Sequence, residues 1–174
     1  MNVQNQPIDY RIERTAFFQI KSYVYSSGLS FVEYSSHAHW GVWPLVHITL
    51  GRDPATGRRK TAFGILAVGW VAVGVLPVGL LALGLFPIGW VAVGLAGALG
   101  QLAIGAVAFG QLAVGPYLAI GQLAIGYIAV GQVAVGFYAL GQIALGAHPY
   151  CMKLKDPVAW EFFRQYLPWL KPPP

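Results

Sequence analysis

The stretch GQLAIGAVAFGQLAVGPYLAIGQLAIGYIAVGQVAVGFYALGQIALG, residues Gly100–Gly146, decides the fold because its glycines recur every five residues. Followed backward, the register holds at Gly64, Gly69, Gly74, Gly79, Gly84, Gly89 and Gly94, with single-residue insertions only at Gly97 and at Pro116-Tyr117. A step of five residues turns an α-helix by about 140°, so the glycines would wander round the cylinder and form no packing stripe. Glycine costs up to about 1 kcal/mol per helical position relative to alanine, and the β-branched residues between the glycines lose rotamer freedom in a helix. Hydropathy alone would cut the block into about three or four spanning helices of about 20 residues each. Yet nothing in it resembles a loop, and no charge marks where a helix would leave a membrane. A β-solenoid, in which each pentad makes one side of a coil and then turns, satisfies the period.

The unit reads glycine, a variable residue, a branched aliphatic, alanine (proline at Pro77 and Pro87) and a second aliphatic. It resembles the pentapeptide-repeat β-helices, whose unit turns a small residue inward, a large aliphatic inward two positions later, and the other three outward. Gly100 and Leu102, Gly121 and Leu123, and Gly131 and Val133 match that small and large pair. The resemblance implies an all-β, four-sided β-helix with about twenty residues per coil. Just over four such coils would stack to roughly 20 Å at a strand spacing of about 4.8 Å. On four sides, the glutamines that follow glycine fall on two opposite walls, Gln111 and Gln132 on one and Gln101, Gln122 and Gln142 on the other. There their amides are placed for ladder-like lateral contacts.

Composition supplies the solvent. The 174 residues are 56% hydrophobic and 10% charged, with 22 glycines and mean hydropathy +0.58, which excludes a disordered chain. From Thr61 to Ala147 there is no Asp, Glu, Lys, Arg, His, Ser or Asn. With the variable residue, alanine and an aliphatic facing out, every wall is apolar, far beyond the few hundred Å² that soluble proteins expose. A β-helix bonds each coil to the next and leaves only its end coils unpaired, so it meets the demand that backbone groups be satisfied inside lipid. The expected surroundings are a lipid bilayer, with sister copies as neighbours in a homo-oligomer.

The flanks read as caps, giving three segments: 1–60, a β-rich N-terminal cap; 61–147, the solenoid; and 148–174, an amphipathic helix with a proline-rich tail. FFQIKSYVYS, LSFVEYSS and PLVHITL alternate in β fashion. GRDPATGRRK carries the turn residues Asp53, Pro54 and Gly57 and reads as a hairpin whose tip holds Arg52, Arg58, Arg59 and Lys60. Basic residues beside an apolar span point to the cytoplasmic headgroup surface of a membrane. Asp156-Pro157 marks a helix start. VAWEFFRQYL then offers an apolar face of Val158, Phe162, Phe163, Tyr166 and Leu167, while Trp160, Arg164 and Trp169 suit a helix lying along a membrane surface. The alternative is a helix packed under the last coil. The polar opening MNVQNQPIDYRIER holds no apolar run for a cleavable signal, and the single Cys151 forms no internal disulfide framework.

FVEYSS, WPLVHITLGRDPATG, the apolar array and DPVAWEFFRQYLPWL together resemble a family of uncharacterised bacterial membrane-associated proteins, over roughly residues 31–170. That resemblance implies a bacterial membrane setting and no known activity; with the basic residues 58–60 beside the array, the expected location is the inner membrane with the N-terminal cap cytoplasmic.

Little here carries chemistry. His37, His39 and His47 lie near Glu33 and Asp53, and an H-x-H pair on a strand is a weak metal candidate. His47 is better read as bonding a backbone group. No nucleophile, base and orienter coincide, the glycines open no phosphate loop, and the acidic walls of DNA-mimicking solenoids are missing. The expectation is a membrane-embedded structural or assembly protein, not an enzyme, with no cofactor, no nucleic acid and no small-molecule substrate. The alternative is a transport or channel component with a path between subunits, since a filled β-helix has no lumen.

Overall fold

A computed structural model describes residues 7–25, 30–53 and 57–170. Pro54, part of the expected turn, and the tail from Lys171 lie outside them. The chain is an all-β solenoid of about 7 turns with one short C-terminal helix. It divides into two compact units, Met1–Val91 and Ala92–Pro174.

The first unit opens with an antiparallel meander. Strands β1 (Pro7–Arg14), β2 (Phe18–Tyr25), β3 (Ser30–Ser36) and β6 (Val46–Leu50) pair in that order. The two-residue strands β4 (His39–Trp40) and β5 (Trp43–Pro44) make a small hairpin between β3 and β6. From β6 onward the pairing turns parallel, with Val46 opposite Leu66 and His47 opposite Ala67 in β7 (Ala62–Gly84). β6 is therefore already the first rung. Residues 51–53 and 57–61 are not part of the expected hairpin, because the strands on either side of them, β6 and β7, pair parallel; Asp53 N–H bonds Arg58 O (2.7 Å) and Gly57 N–H bonds Asp53 O (2.8 Å).

β8 (Ile88–Gly94) crosses the boundary between the units. In the second unit, β9 (Gly97–Ile104), β10 (Val107–Leu145) and β11 (His148–Tyr150) continue the parallel winding, and α1 (Pro157–Arg164) follows. Here the register corrects the expected coil. Val107 lies opposite Gly97, Gly110 opposite Gly100, and Tyr138 opposite His148. One turn takes two pentads, not four, so the expected four sides reduce to two pentad-long walls. The chain climbs about 4.8 Å per ten residues, twice the rise per residue of a twenty-residue coil.

The inward phase also differs from the pentapeptide-repeat pattern. The central aliphatics face outward, with Leu123 37% exposed, while alanine points in. Fifteen alanines from Ala62 to Ala144 are at most 4% exposed, and Pro77 and Pro87 replace alanine in the same buried position. Two walls five residues long enclose a core too narrow for more than a methyl group from each. Glycine marks the places where one rung lies directly on another. A Cβ on Gly131 would sit 2.0 Å from Gly121 O, and one on Gly84 would sit 1.8 Å from Gly74 O. Such a clash is with backbone, so no side chain can move to relieve it.

Replacing Gly131 by Ala should therefore lower stability by about 3 kcal/mol or more, because the rungs must separate. Gln132→Ala, on the outer surface, should change it by no more than about 0.5 kcal/mol. Thermal unfolding followed by circular dichroism in detergent separates the two outcomes.

Candidate functional site

The ten-residue turn sorts the outer surface of the second unit into columns. Gly110 stacks on Gly100, Gly121 on Gly110, Gly131 on Gly121 and Gly141 on Gly131. The residues that follow these glycines, Gln101, Gln111, Gln122, Gln132 and Gln142, thus form one exposed column. The structure corrects the expected pair of opposite columns, because two sides of a twenty-residue coil become one side of a ten-residue coil. No amide-to-amide hydrogen bond joins these glutamines among the described residues. On the other wall, glycines 115, 126 and 136 stack in the same way. The Tyr127 and Phe137 rings lie face to face there, with centroids 5.0 Å apart and 2° between planes. Around both columns the outward positions are apolar: Leu99, Ile104, Phe109, Ile120, Ile125 and Ile143 are all at least 36% exposed. In the first unit, Trp70, Leu80 and Trp90 occupy the corresponding exposed positions.

Where the core meets its N-terminal cap, the inward residues become polar. His47 stands one rung above Ala67 at the inward position, and Thr49 stands above Gly69. Phe63 N–H donates to His47 Nδ1 (2.9 Å), which leaves Nε2–H to donate to Glu33 Oε1 (2.9 Å). Lys60 Nζ donates to the same carboxylate oxygen at 2.5 Å, and Thr49 Oγ1 donates to Lys60 O (3.0 Å). Glu33 and His47 are 7% and 8% exposed. The His47 hydrogen bond, with help from Lys60, outweighs burial and holds the Glu33 carboxyl down from the usual 4.5 to about 2. The backbone bond expected of His47 is present. Its union with Glu33 and Lys60 was not foreseen, although polar residues on the buried phase of FVEYSS and PLVHITL were the signal for it.

With both ring nitrogens engaged, His47 is not placed to bind a metal together with His37 and His39. His37 lies in a bend, not on a strand, and His39 Nδ1 approaches His37 O at 2.7 Å; both side chains are exposed. No group of three or more His, Cys, Asp or Glu converges as a metal site among the described residues. Of the expected membrane-surface cations, Lys60 is tied to Glu33. Arg59 lies over the Trp70 ring, 3.1 Å from its centroid, and Arg58 is exposed.

In the second unit, Asp156 caps α1 by accepting Val158 N–H at 2.7 Å and Ala159 N–H at 3.4 Å, and its second oxygen meets His148 Nδ1 at 3.2 Å. Burial opposes its ionisation, but the His148 bond and the two amides prevail, so its pKa is lowered. The helix turns Ala159 and Phe163 onto the solenoid wall, against Ile128, Val130, Tyr138 and Leu140. Phe162 stacks on Tyr138 with centroids 4.2 Å apart. The packed-helix alternative therefore describes the buried face of α1. Arg164 sits over Trp160 at 4.8 Å, and Trp169 is 76% exposed. Cys151 is a buried free thiol whose sulfur accepts Leu154 N–H at 3.3 Å.

Clefts lie beside this helix and beside the segments on either side of it. One of about 390 Å³ lies between α1 and the wall, lined by Leu118, Ile128, Phe162 and Leu167 among others. Another, of about 600 Å³, is bordered by Gln132, Gln142, Cys151, Lys155 and Trp169. No helix among the described residues is long and apolar enough to cross a membrane. No known protein family, curated protein or solved structure matches the chain.

The stability supplied by ionised Glu33 should be fully present above the ordinary carboxyl range. It should fall by a few kcal/mol as pH drops from about 5 to about 2, the folded value, because only the folded state holds the pKa down. Glu33→Gln should flatten that acid limb and cost about 3 kcal/mol at neutral pH, since Lys60 loses its opposite charge and His47 then donates to a neutral amide in place of a carboxylate. Unfolding midpoints measured against pH test both. Phe163→Ala should cost about 3 kcal/mol by emptying the α1 contact, read as earlier release of the helix in hydrogen exchange.

Proposed function

We propose that the chain is a membrane-embedded β-solenoid with a structural or assembly role and no catalytic activity, its walls in contact with lipid and with other copies of itself. The observation that carries this reading is the inversion of side chains. Alanine fills the interior while Leu, Ile, Val, Phe, Tyr and Trp cover the outside of the array. Burying those residues against hydrocarbon would recover about 25 cal/mol per Å² of apolar surface that water would otherwise meet. Rung-to-rung hydrogen bonding satisfies the backbone along the walls, as lipid requires. The ten-residue turn favours the reading further, because the array rises twice as far per residue as a twenty-residue coil would. The segments that flank the array in the chain are polar, with Glu33, His47 and the basic residues Arg58, Arg59 and Lys60 before it and His148, Lys155 and Asp156 after it. In this reading these segments lie at the headgroups, in a bacterial inner membrane with the N-terminal cap on the cytoplasmic side. The glutamine column is the one polar stripe on the walls, and it suits contact with a second amide stripe in hydrocarbon, worth about 1 kcal/mol per bond or less.

After alkaline carbonate extraction the protein should stay with the membrane pellet, and after purification it should need detergent or lipid to remain dispersed. Monodisperse behaviour in plain buffer without an amphiphile overturns membrane embedding. Crosslinking in native membranes should return multimers, and monomer alone removes the assembly role.

A further inference from the structure

Among the described residues β1 pairs only with β2, and none of them covers its other edge. Which residues point their amides outward follows from the turn between the two strands. Thr15 N–H bonds Phe18 O at 2.9 Å, and the register then runs Arg14 opposite Gln19, Glu13 opposite Ile20, Ile12 opposite Lys21 and Arg11 opposite Ser22. Hydrogen-bonded and non-bonded pairs alternate in an antiparallel ladder. Thr15, Glu13 and Arg11 therefore spend their backbone groups on β2, whereas Arg14, Ile12 and Tyr10 present theirs to the open edge.

From this edge we infer a homodimer: two copies of the chain join β1 to β1, antiparallel, about a twofold axis at Ile12. Only a register that sets outward groups against outward groups can form bonds. With Ile12 opposite Ile12, residues 10, 12 and 14 exchange bonds with 14, 12 and 10 of the second copy. Arg11 then faces Glu13 of the other chain, and Glu13 faces its Arg11. These are non-bonded pairs, whose side chains approach most closely. Arg11 and Glu13 are already on one face, with Arg11 Nε 2.7 Å from Glu13 Oε1, and both are exposed. The dimer would close four alternating charges into a ring. A shift of two residues one way sets Arg11 against Arg11, and the other way sets Glu13 against Glu13. Charge thus selects one register, and the same charges that protect an edge from indiscriminate pairing accept this partner. The pairing needs no lipid, so it stands or falls separately from the membrane reading.

The test uses the full chain in mild detergent with Cys151→Ser, so that a cysteine placed at Ile12 is the sole thiol. Across a hydrogen-bonded antiparallel pair the Cα atoms lie about 5.5 Å apart, within disulfide reach. Mild oxidation of Ile12→Cys should give a disulfide dimer. Adding Glu13→Arg, which sets arginine against arginine, should slow its formation by about tenfold or more. Adding Arg11→Glu as well should restore it. Mixing the Arg11→Glu chain with the Glu13→Arg chain, each carrying Ile12→Cys, should give the mixed dimer in preference to either self-dimer. Failure of Ile12→Cys to crosslink, or crosslinking that ignores the charge reversals, overturns the inference.

Discussion

The contact on which the solenoid depends is the seat of each glycine Cα on the carbonyl of the glycine one turn below. In the second unit the space a Cβ would need at these positions is taken by backbone oxygen, with Gly110 O 1.9 Å from a Cβ on Gly121 and Gly131 O 2.2 Å from one on Gly141. That closeness allows a turn of only ten residues. A turn so short leaves two walls with room between them for alanine methyls and the rings of Pro77 and Pro87. Large side chains have nowhere to go but out. The apolar exterior is thus a geometrical consequence of the tight interior, and dispersion within the core is correspondingly thin, since a methyl group makes far fewer contacts than a leucine. Rung-to-rung hydrogen bonding, not side-chain burial, carries the cohesion of the walls.

Each unit closes the array against a flanking segment, and the two units do so with different chemistry. At the N-terminal side the alanine column gives way to His47, and the carboxylate of Glu33 gathers a histidine and a lysine brought together by β3, β6 and the residues before β7. The ion pair fixes Lys60 at the point where pairing changes from antiparallel to parallel. At the C-terminal side Asp156 both caps α1 and holds His148 on the last strand, while Phe163 and the Phe162–Tyr138 stack seat the helix on the wall. The flank of the first unit is thereby held by charge and that of the second by aromatic packing.

The sequence contained more of this than the pentapeptide-repeat resemblance drew from it. Besides glycine, the position with least variation in size is alanine, from Ala62 through Ala144, while its neighbours range over Leu, Ile, Val and Phe. Residues confined to the tightest space vary least in volume, which marks alanine as the inward residue. Setting Leu102, Leu123 and Val133 inward followed the resemblance and demanded a wider coil than these residues form. The same step divided the glutamines between two walls. Likewise, GRDPATGRRK has the turn residues of a hairpin, but turn chemistry fixes a reversal locally and not whether the next strand pairs parallel or antiparallel.

What the sequence determined by itself is periodic and compositional: five-residue steps that exclude a helix, an all-β array between polar caps, a helix begun by Asp156-Pro157, and walls without charge. What only the tertiary structure decided is how many pentads close a turn. A five-residue period is satisfied equally by coils of ten or twenty residues, and the choice rests on contacts between residues ten apart. From that choice followed the side each aliphatic faces, the single glutamine column, and the meeting of Glu33 with His47 and Lys60. These residues are 14 and 27 positions apart, and no local pattern could bring them to one oxygen.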